Sequence, residues 1–135
     1  MIQFKNQERM ILMAWELNSD RPIYTQILEI IQTRIISGIY KPGEKLPSVR
    51  ELAAQASVNP NTMQKAFAEL EKSGLITTQR GSGRSVTEDT IMIEQVQKEI
   101  AVLQIKGFFE KMNELGYDNA HILKLITETI EGGIQ

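Results

Sequence analysis

The chain has 135 residues, 41% hydrophobic and 24% charged, with a formal net charge of −2 and no cysteine. That length holds one domain, or one small domain with an appendage, and the missing cysteines exclude a disulfide framework, a thiolate metal site and a cysteine nucleophile. No apolar run approaches membrane-spanning length and no signal-peptide pattern is present, so the expected setting is a reducing cytoplasm with no membrane partner.

In chain order, Ile11–Leu17 reads as a short strand or helix lying on the first domain, and Trp15 is expected to bury apolar area rather than recognise a ligand. Asn18-Ser19-Asp20-Arg21-Pro22 reads as a helix start, with Ser19 or Asp20 as the cap. Ile23, Ile27, Ile30, Ile31 and Ile35 form the core stripe of that helix, and Gly38 ends it. Tyr40–Glu44 is a turn, after which Lys45-Leu46 is expected to add a very short strand to a later sheet.

Residues 46–74 are the centre of the sequence. Ser48 followed by Glu51 is a capping box, in which each side chain satisfies the other residue's backbone N–H. Val49, Leu52, Ala53 and Ala56 share one helical face. Ser57-Val58 breaks the run, and Asn59 caps a second helix with Pro60 at its first position, where a missing N–H costs nothing. Met63, Ala66, Phe67 and Leu70 make the inner stripe, and Gly74 ends the helix. The opposite face carries Asn61, Lys65, Ala68 and Lys72, with Gln64 on the flank and no carboxylate before Glu69. Such an end can enter a major groove, since it offers hydrogen bonds to base edges and no charge that phosphate repels. It can equally be a solvated face of a small helical bundle.

Leu75-Ile76-Thr77-Thr78 is β-prone, Arg80-Gly81-Ser82-Gly83-Arg84 is a basic glycine-containing turn, and Ser85-Val86 is a returning strand. A helix-turn-helix followed directly by such a hairpin is the layout of a winged helix, in which the arginines suit phosphate or a minor groove. Charge is unevenly distributed. Residues 21–86 carry nine basic and five acidic side chains, net +4; residues 1–20 carry two and three, net −1; residues 87–135 carry four and nine, net −5. The cationic potential is therefore local to the candidate DNA-binding segment.

These residues resemble the DNA-binding domain of the GntR family of bacterial transcription regulators over 21–86. The resemblance is carried by Pro22-Ile23-Tyr24, Ile36-Ser37-Gly38, Tyr40 to Ala53, Asn59-Pro60-Asn61-Thr62, Glu69 to Ile76, and Arg80-Gly81-Ser82-Gly83. The Asn-Pro-Asn-Thr turn and short tail are similar to the YtrA-like subfamily. The same turn occurs in a subfamily fused to an aminotransferase-like domain, which needs several hundred further residues and a cofactor-binding lysine, whereas this chain ends at Gln135. The resemblance implies that Arg50 reads a guanine, for which a bidentate contact is the chemical reason. It places Asn59, Asn61 and Thr62 at the recognition-helix N-terminus, where side chains and free N–H groups would hold phosphate or reach bases. Many relatives have a basic residue where Pro60 stands. Gln64 and Lys65 are the next candidates, Ser48 would sit on phosphate, and Arg80, Gly81, Ser82 and Gly83 would form the wing tip.

Residues 88–131 differ in character. Ile93, Val96, Ile100 and Leu103, then Phe108, Met112 and Leu115, predict a long amphipathic helix, kinked or shifted in face near Gly107 and ended by Gly116. Asp118 then caps a last helix carrying Ile122, Leu123, Ile126 and Ile130. Two helices cannot bury that much apolar surface between themselves, and the expected partner is a second copy with two-fold symmetry, which the resemblance also implies. Dimerisation is assigned to Val96, Ile100, Leu103, Phe108, Met112, Leu115, Ile122 and Ile126. The alternative is a tail folded back on its own first domain.

The expected fold is thus mainly α with a small β-wing (α+β). A winged helix-turn-helix DNA-binding domain over 1–86, with its core at 21–86, precedes a helical dimerisation tail over 87–135. The expected function is a sequence-specific transcription regulator, a homodimeric repressor on an inverted-repeat operator in double-stranded DNA, and the YtrA-like resemblance suggests a transporter operon. A helical protein-interaction module on a winged-helix scaffold is the alternative. An unidentified small effector could bind at the dimer interface or between tail and head. Enzyme readings fail on inventory: His121 is the only histidine, the carboxylates show no paired spacing, Gly81-Ser82-Gly83 is too short to cradle phosphate, and neither cofactor nor metal is expected.

Overall fold

The structure, a computed structural model, describes residues 15–79 and 83–133. Among them are α1 (Ile23–Ile36), α2 (Val49–Ala56), α3 (Pro60–Ser73), β1 (Ile76–Gln79), β2 (Gly83–Val86), α4 (Thr90–Glu114) and α5 (Asn119–Glu131). The fold is mainly helical with one two-stranded antiparallel sheet. Residues 11–14 of the expected N-terminal element lie outside the described residues, and 15–17 have no regular secondary structure.

The start of α1 corrects an expectation. Neither Ser19 nor Asp20 caps it; Pro22 occupies the cap position and makes no side-chain cap bond. Gln26 holds the preceding loop instead. Its Nε2 donates to the carbonyls of Asn18 (2.8 Å) and Arg21 (2.9 Å), and its Oε1 accepts from the Asn18 N–H (2.9 Å). Ile27, Ile31 and Ile35 enter the core with Ile23 at its edge, but Ile30 remains outside the cluster. On the same helix Arg34 is buried, its guanidinium 4.2 Å from the centroid of the Trp15 ring, and it donates to the Tyr40 hydroxyl at 3.0 Å. Cation–π contact with an aromatic face lets a guanidinium occupy such a position.

Local capping sets both ends of α2 and α3. Ser48 Oγ accepts from the Glu51 N–H (3.1 Å), and Glu51 Oε1 accepts from the Ser48 N–H (3.4 Å). Ser57 closes α2 in the left-handed region at φ 56°, its N–H bonded to the Ala53 and Ala54 carbonyls. Asn59 caps α3, with Pro60 at its first turn, and Gly74 ends it at φ 86°. Leu52, Met63, Phe67 and Leu70 are completely buried against the α1 stripe and join one core with Leu75, Ile76 and Val86.

The hairpin pairs Ile76 with Val86, Thr77 with Ser85, Thr78 with Arg84 and Gln79 with Gly83. The expected third strand is a single bridge, Lys45 to Ser85, supported by Leu46 N–H to Arg84 O and Val86 N–H to Glu44 O, both 2.9 Å.

α4 runs 25 residues and continues through Gly107 without interruption. Its first turns belong to the first compact unit, which ends at Gln97. There Ile93 is buried, Met92 and Val96 pack on the core, and Gln97 Nε2 donates to the Ile36 carbonyl at 3.1 Å. The second unit starts at Lys98. Gly116 (φ 98°) follows α4, and Asp118 caps α5 by accepting from the His121 N–H at 2.9 Å. Within this unit Ile122 is completely buried, whereas Leu103, Phe108 and Leu115 are 66%, 43% and 73% exposed. Ile100, Met112 and Ile126 are half-buried.

Candidate nucleic-acid interface

An open groove of about 510 Å³ lies where α2, α3 and the hairpin meet; its lining includes Lys45, Ser48, Arg50, Gln64, Gly83 and Arg84. Four of the residues singled out from sequence, Ser48, Arg50, Gln64 and Gly83, are thus brought together from three elements. The capping box fixes the first turn of α2 and with it the origin of the exposed Arg50 side chain. Glu51 also lines the groove, but its carboxylate is turned to the start of its own helix. Ser48 uses an oxygen lone pair on the Glu51 N–H, which leaves its own O–H as a hydrogen-bond donor.

The N-terminal end of α3 presents Asn59, Asn61, Gln64 and Lys65 as exposed side chains, with Thr62 half-buried. One expectation is corrected here, because the backbone N–H groups of this turn are engaged. The Asn61 N–H donates to Asn59 Oδ1 at 2.8 Å, and the Thr62 and Met63 N–H groups donate to the Asn59 carbonyl at 3.0 and 3.2 Å. Pro60 has no N–H to offer. This end therefore presents side chains rather than free N–H groups. Lys65 is partly committed too: its Nζ lies 3.9 Å from the centroid of the Tyr24 ring on α1.

On the wing, Arg80, Gly81 and Ser82 lie outside the described residues. Gly83 starts β2 at φ 78°. Arg84, expected from sequence to suit phosphate, is turned inward, where its Nε donates to Glu71 Oε1 near the end of α3 and its guanidinium lies 5.2 Å from the Phe67 ring centroid. The hydrogen bond from Arg84 holds the Glu71 carboxyl below the usual carboxylate range, aided by Thr78 and opposed by partial burial.

Lys45 was absent from the sequence-derived set. It lines the groove and its Cε approaches within 3.8 Å of where a Gly83 side chain would begin. The available signal was its place in the short strand beside the wing. Among the described residues, no group of three or more His, Cys, Asp or Glu side chains could hold a metal ion, and no helix is long and apolar enough to cross a membrane.

Residues 23–86 match the model of the bacterial regulatory proteins of the gntR family. The chain is 38% identical over 126 residues to the HTH-type transcriptional repressor YtrA of Bacillus subtilis, covering 85% of this chain and 92% of that protein. A GntR family transcriptional regulator from Listeria monocytogenes superposes with a TM-score of 0.78 at 42% identity, over 83% of this chain and 98% of the other. The AraR DNA-binding domain, solved in complex with operator ORX1, has a TM-score of 0.50 at 30% identity and covers 53% of this chain and 93% of that one. The winged-helix architecture, the groove and these likenesses agree: the chain belongs to the GntR family of helix-turn-helix transcription regulators, which are DNA-binding proteins and not enzymes.

Proposed function

We propose that the protein is a cytoplasmic repressor that binds an inverted-repeat operator as a two-fold dimer. The observation that carries the reading is the groove in which Arg50 and Lys45 stand beside Ser48, Gln64 and the wing, next to an α3 end lined by amides. Arg50 reads a guanine edge; Gln64, Asn59 and Asn61 make amide contacts to bases or phosphates; Thr62, Lys65 and Ser48 add phosphate contacts, and Arg80, Gly81, Ser82 and Gly83 form the wing tip. Residues 1–86 are the DNA-binding domain, and residues 87–135 carry dimerisation. Leu103, Phe108 and Leu115 supply the exposed apolar surface, with Ile100, Met112 and Ile126 half-buried and Ile122 buried in the same unit; Val96, also assigned to the dimer, packs on the core of the first unit instead. A two-fold dimer sets two recognition helices about 34 Å apart on one side of DNA, which calls for an inverted repeat.

Likeness to a named repressor, YtrA, supports the sign of regulation; control of a transporter operon is the reading that the YtrA-like resemblance suggests. A small effector bound to the tail would act by changing the spacing of the heads.

The test is selection from a pool of random duplexes with wild type and Arg50→Ala at several salt concentrations. The expected result is an inverted repeat enriched by wild type, with one guanine in each half no longer preferred by the variant. Weak binding with steep salt dependence and no enriched sequence would reduce the groove to a basic patch.

A further inference from the structure

The inner face of the hairpin changes character along its length. Ile76 and Val86, paired and buried, belong to the core. The next pair on that face, two residues further out on each strand, is Thr78 with Arg84. Both side chains reach one oxygen on α3: Thr78 Oγ1 donates to Glu71 Oε1 at 2.9 Å, and Arg84 Nε donates to the same atom. The Arg84 guanidinium also lies against the ring of Phe67, one helical turn before Glu71. Two strands and a helix are therefore joined at a single carboxylate, about a quarter to a third exposed (Arg84 23%, Glu71 33%).

We propose that Glu71 is a positioning residue that fixes the angle of the wing on the recognition helix, with Arg84 acting as a strut to Glu71 rather than as a phosphate contact. The proposal rests on the DNA-binding reading above. Its physical basis is that a two-stranded ribbon is barely stable by itself, so its direction beyond the core pair depends on side-chain ties. A charge-assisted bond from one strand and a hydroxyl bond from the other restrain bending and twisting together. The wing tip and the Arg50 groove then meet DNA in one fixed relation. The assignment reverses what the sequence suggests for Arg84, because a cation beside a glycine-rich tip is ordinarily available to phosphate.

The two roles predict opposite results. Measurements use the full chain, with the duplex that wild type enriches and a scrambled duplex of equal length. As a strut, Arg84→Lys and Glu71→Gln each lower the ratio of specific to non-specific affinity, by roughly tenfold for loss of a charge-assisted bond. The slope of log affinity against log salt stays at its wild-type value in both. As a phosphate contact, Arg84→Lys would retain affinity, Arg84→Ala would reduce the slope by about one per head, and Glu71→Gln would raise affinity for both duplexes alike and steepen the slope by freeing the arginine. That second pattern overturns the proposal.

An arm without DNA separates this idea from the DNA-binding reading. Amide hydrogen exchange at 77–79 and 84–86 is expected to quicken at least tenfold in Glu71→Gln, while the exchange of α1 stays unchanged. If wild type enriches no sequence but the hairpin loosens as described, the regulator reading fails and the strut stands. Unchanged hairpin exchange overturns the strut whatever DNA does.

Discussion

Leu103→Ala tests the proposed dimer most directly. Leu103 is 66% exposed within the single chain, so the substitution leaves the fold of one copy nearly untouched, and alanine favours the helix it sits in. Burying a leucine side chain fully is worth about 1.5–3 kcal/mol; two thirds of that gives about 1–2 kcal/mol per copy. Two-fold symmetry repeats the loss, for about 2–4 kcal/mol per dimer, or a dimer dissociation constant roughly 30- to 700-fold weaker. Sedimentation equilibrium over a wide concentration range measures this, with far-UV circular dichroism as the check that helix content is kept. A wild-type dimer whose constant shifts by less than about threefold in the variant would place the interface elsewhere and refute the argument.

The other predictions are shorter. Gly74→Ala places a side chain at φ 86° with its Cβ 3.3 Å from the Met92 sulfur; a left-handed cost of about 1–2 kcal/mol, less an unfolded-chain gain of about 0.4–1, leaves net destabilisation near 1 kcal/mol, read from the urea midpoint. The folded-state pKa of Glu71 is lowered, so its contribution to stability is present above the ordinary carboxylate pKa and is lost as pH falls through the folded value. Unfolding measured between neutral and acid pH is therefore expected to fall more steeply for wild type than for Glu71→Gln. If the phosphate-directed cations are Lys41, Lys45, Lys65 and Arg80 on each of two heads, the salt slope is about −7; engagement of all basic residues of 21–86 would give about −16.

The helix-turn-helix was legible because its determinants are local. Ser48 with Glu51, Asn59 with Pro60, and Gly74 each act within one turn of their own position, so sequence order is close to contact order. The hairpin was legible for a similar reason, since few residues separate its strands, but β2 begins at Gly83, so Gly83 and Arg84 belong to a strand and not to the turn expected over 80–84. What escaped was chemistry between positions far apart in sequence. The end of α1 that looked capped by Ser19 or Asp20 is held by Gln26, a residue that periodicity places in the helix interior. Arg34 interrupts an isoleucine-rich helix, and the approach of the Trp15 and Tyr40 rings helps to account for its burial. Arg84 was read from the glycines next to it, whereas its environment is set by Glu71, thirteen positions earlier.

These long-range pairings change what the charge of the head means. Residues 21–86 hold nine basic side chains, but a formal count treats them as equivalent. Arg21 is paired bidentately with Glu29, Lys72 with Glu69, and Arg84 with Glu71, while Arg34 is buried and Lys65 lies on Tyr24. Among the described residues of 21–86, Lys41, Lys45 and Arg50 remain as cations in no ion pair or ring contact. Sequence-independent affinity grows with the number of phosphates neutralised, so on the proposed DNA-binding reading a head with these cations and Arg80 would hold arbitrary DNA only weakly. Discrimination in the proposed complex would then fall to Arg50 and the neutral amides and hydroxyls beside it, whose hydrogen bonds depend on the base they meet. Weak non-specific affinity favours specificity but leaves a single head poorly bound at any site. Joining two heads makes the second binding event intramolecular, which raises affinity for a paired site without adding cations. In the proposed dimer, the exposed Leu103, Phe108 and Leu115 and the sparse cations of the groove would belong to one design, the tail supplying by association the affinity that each head withholds from non-specific DNA.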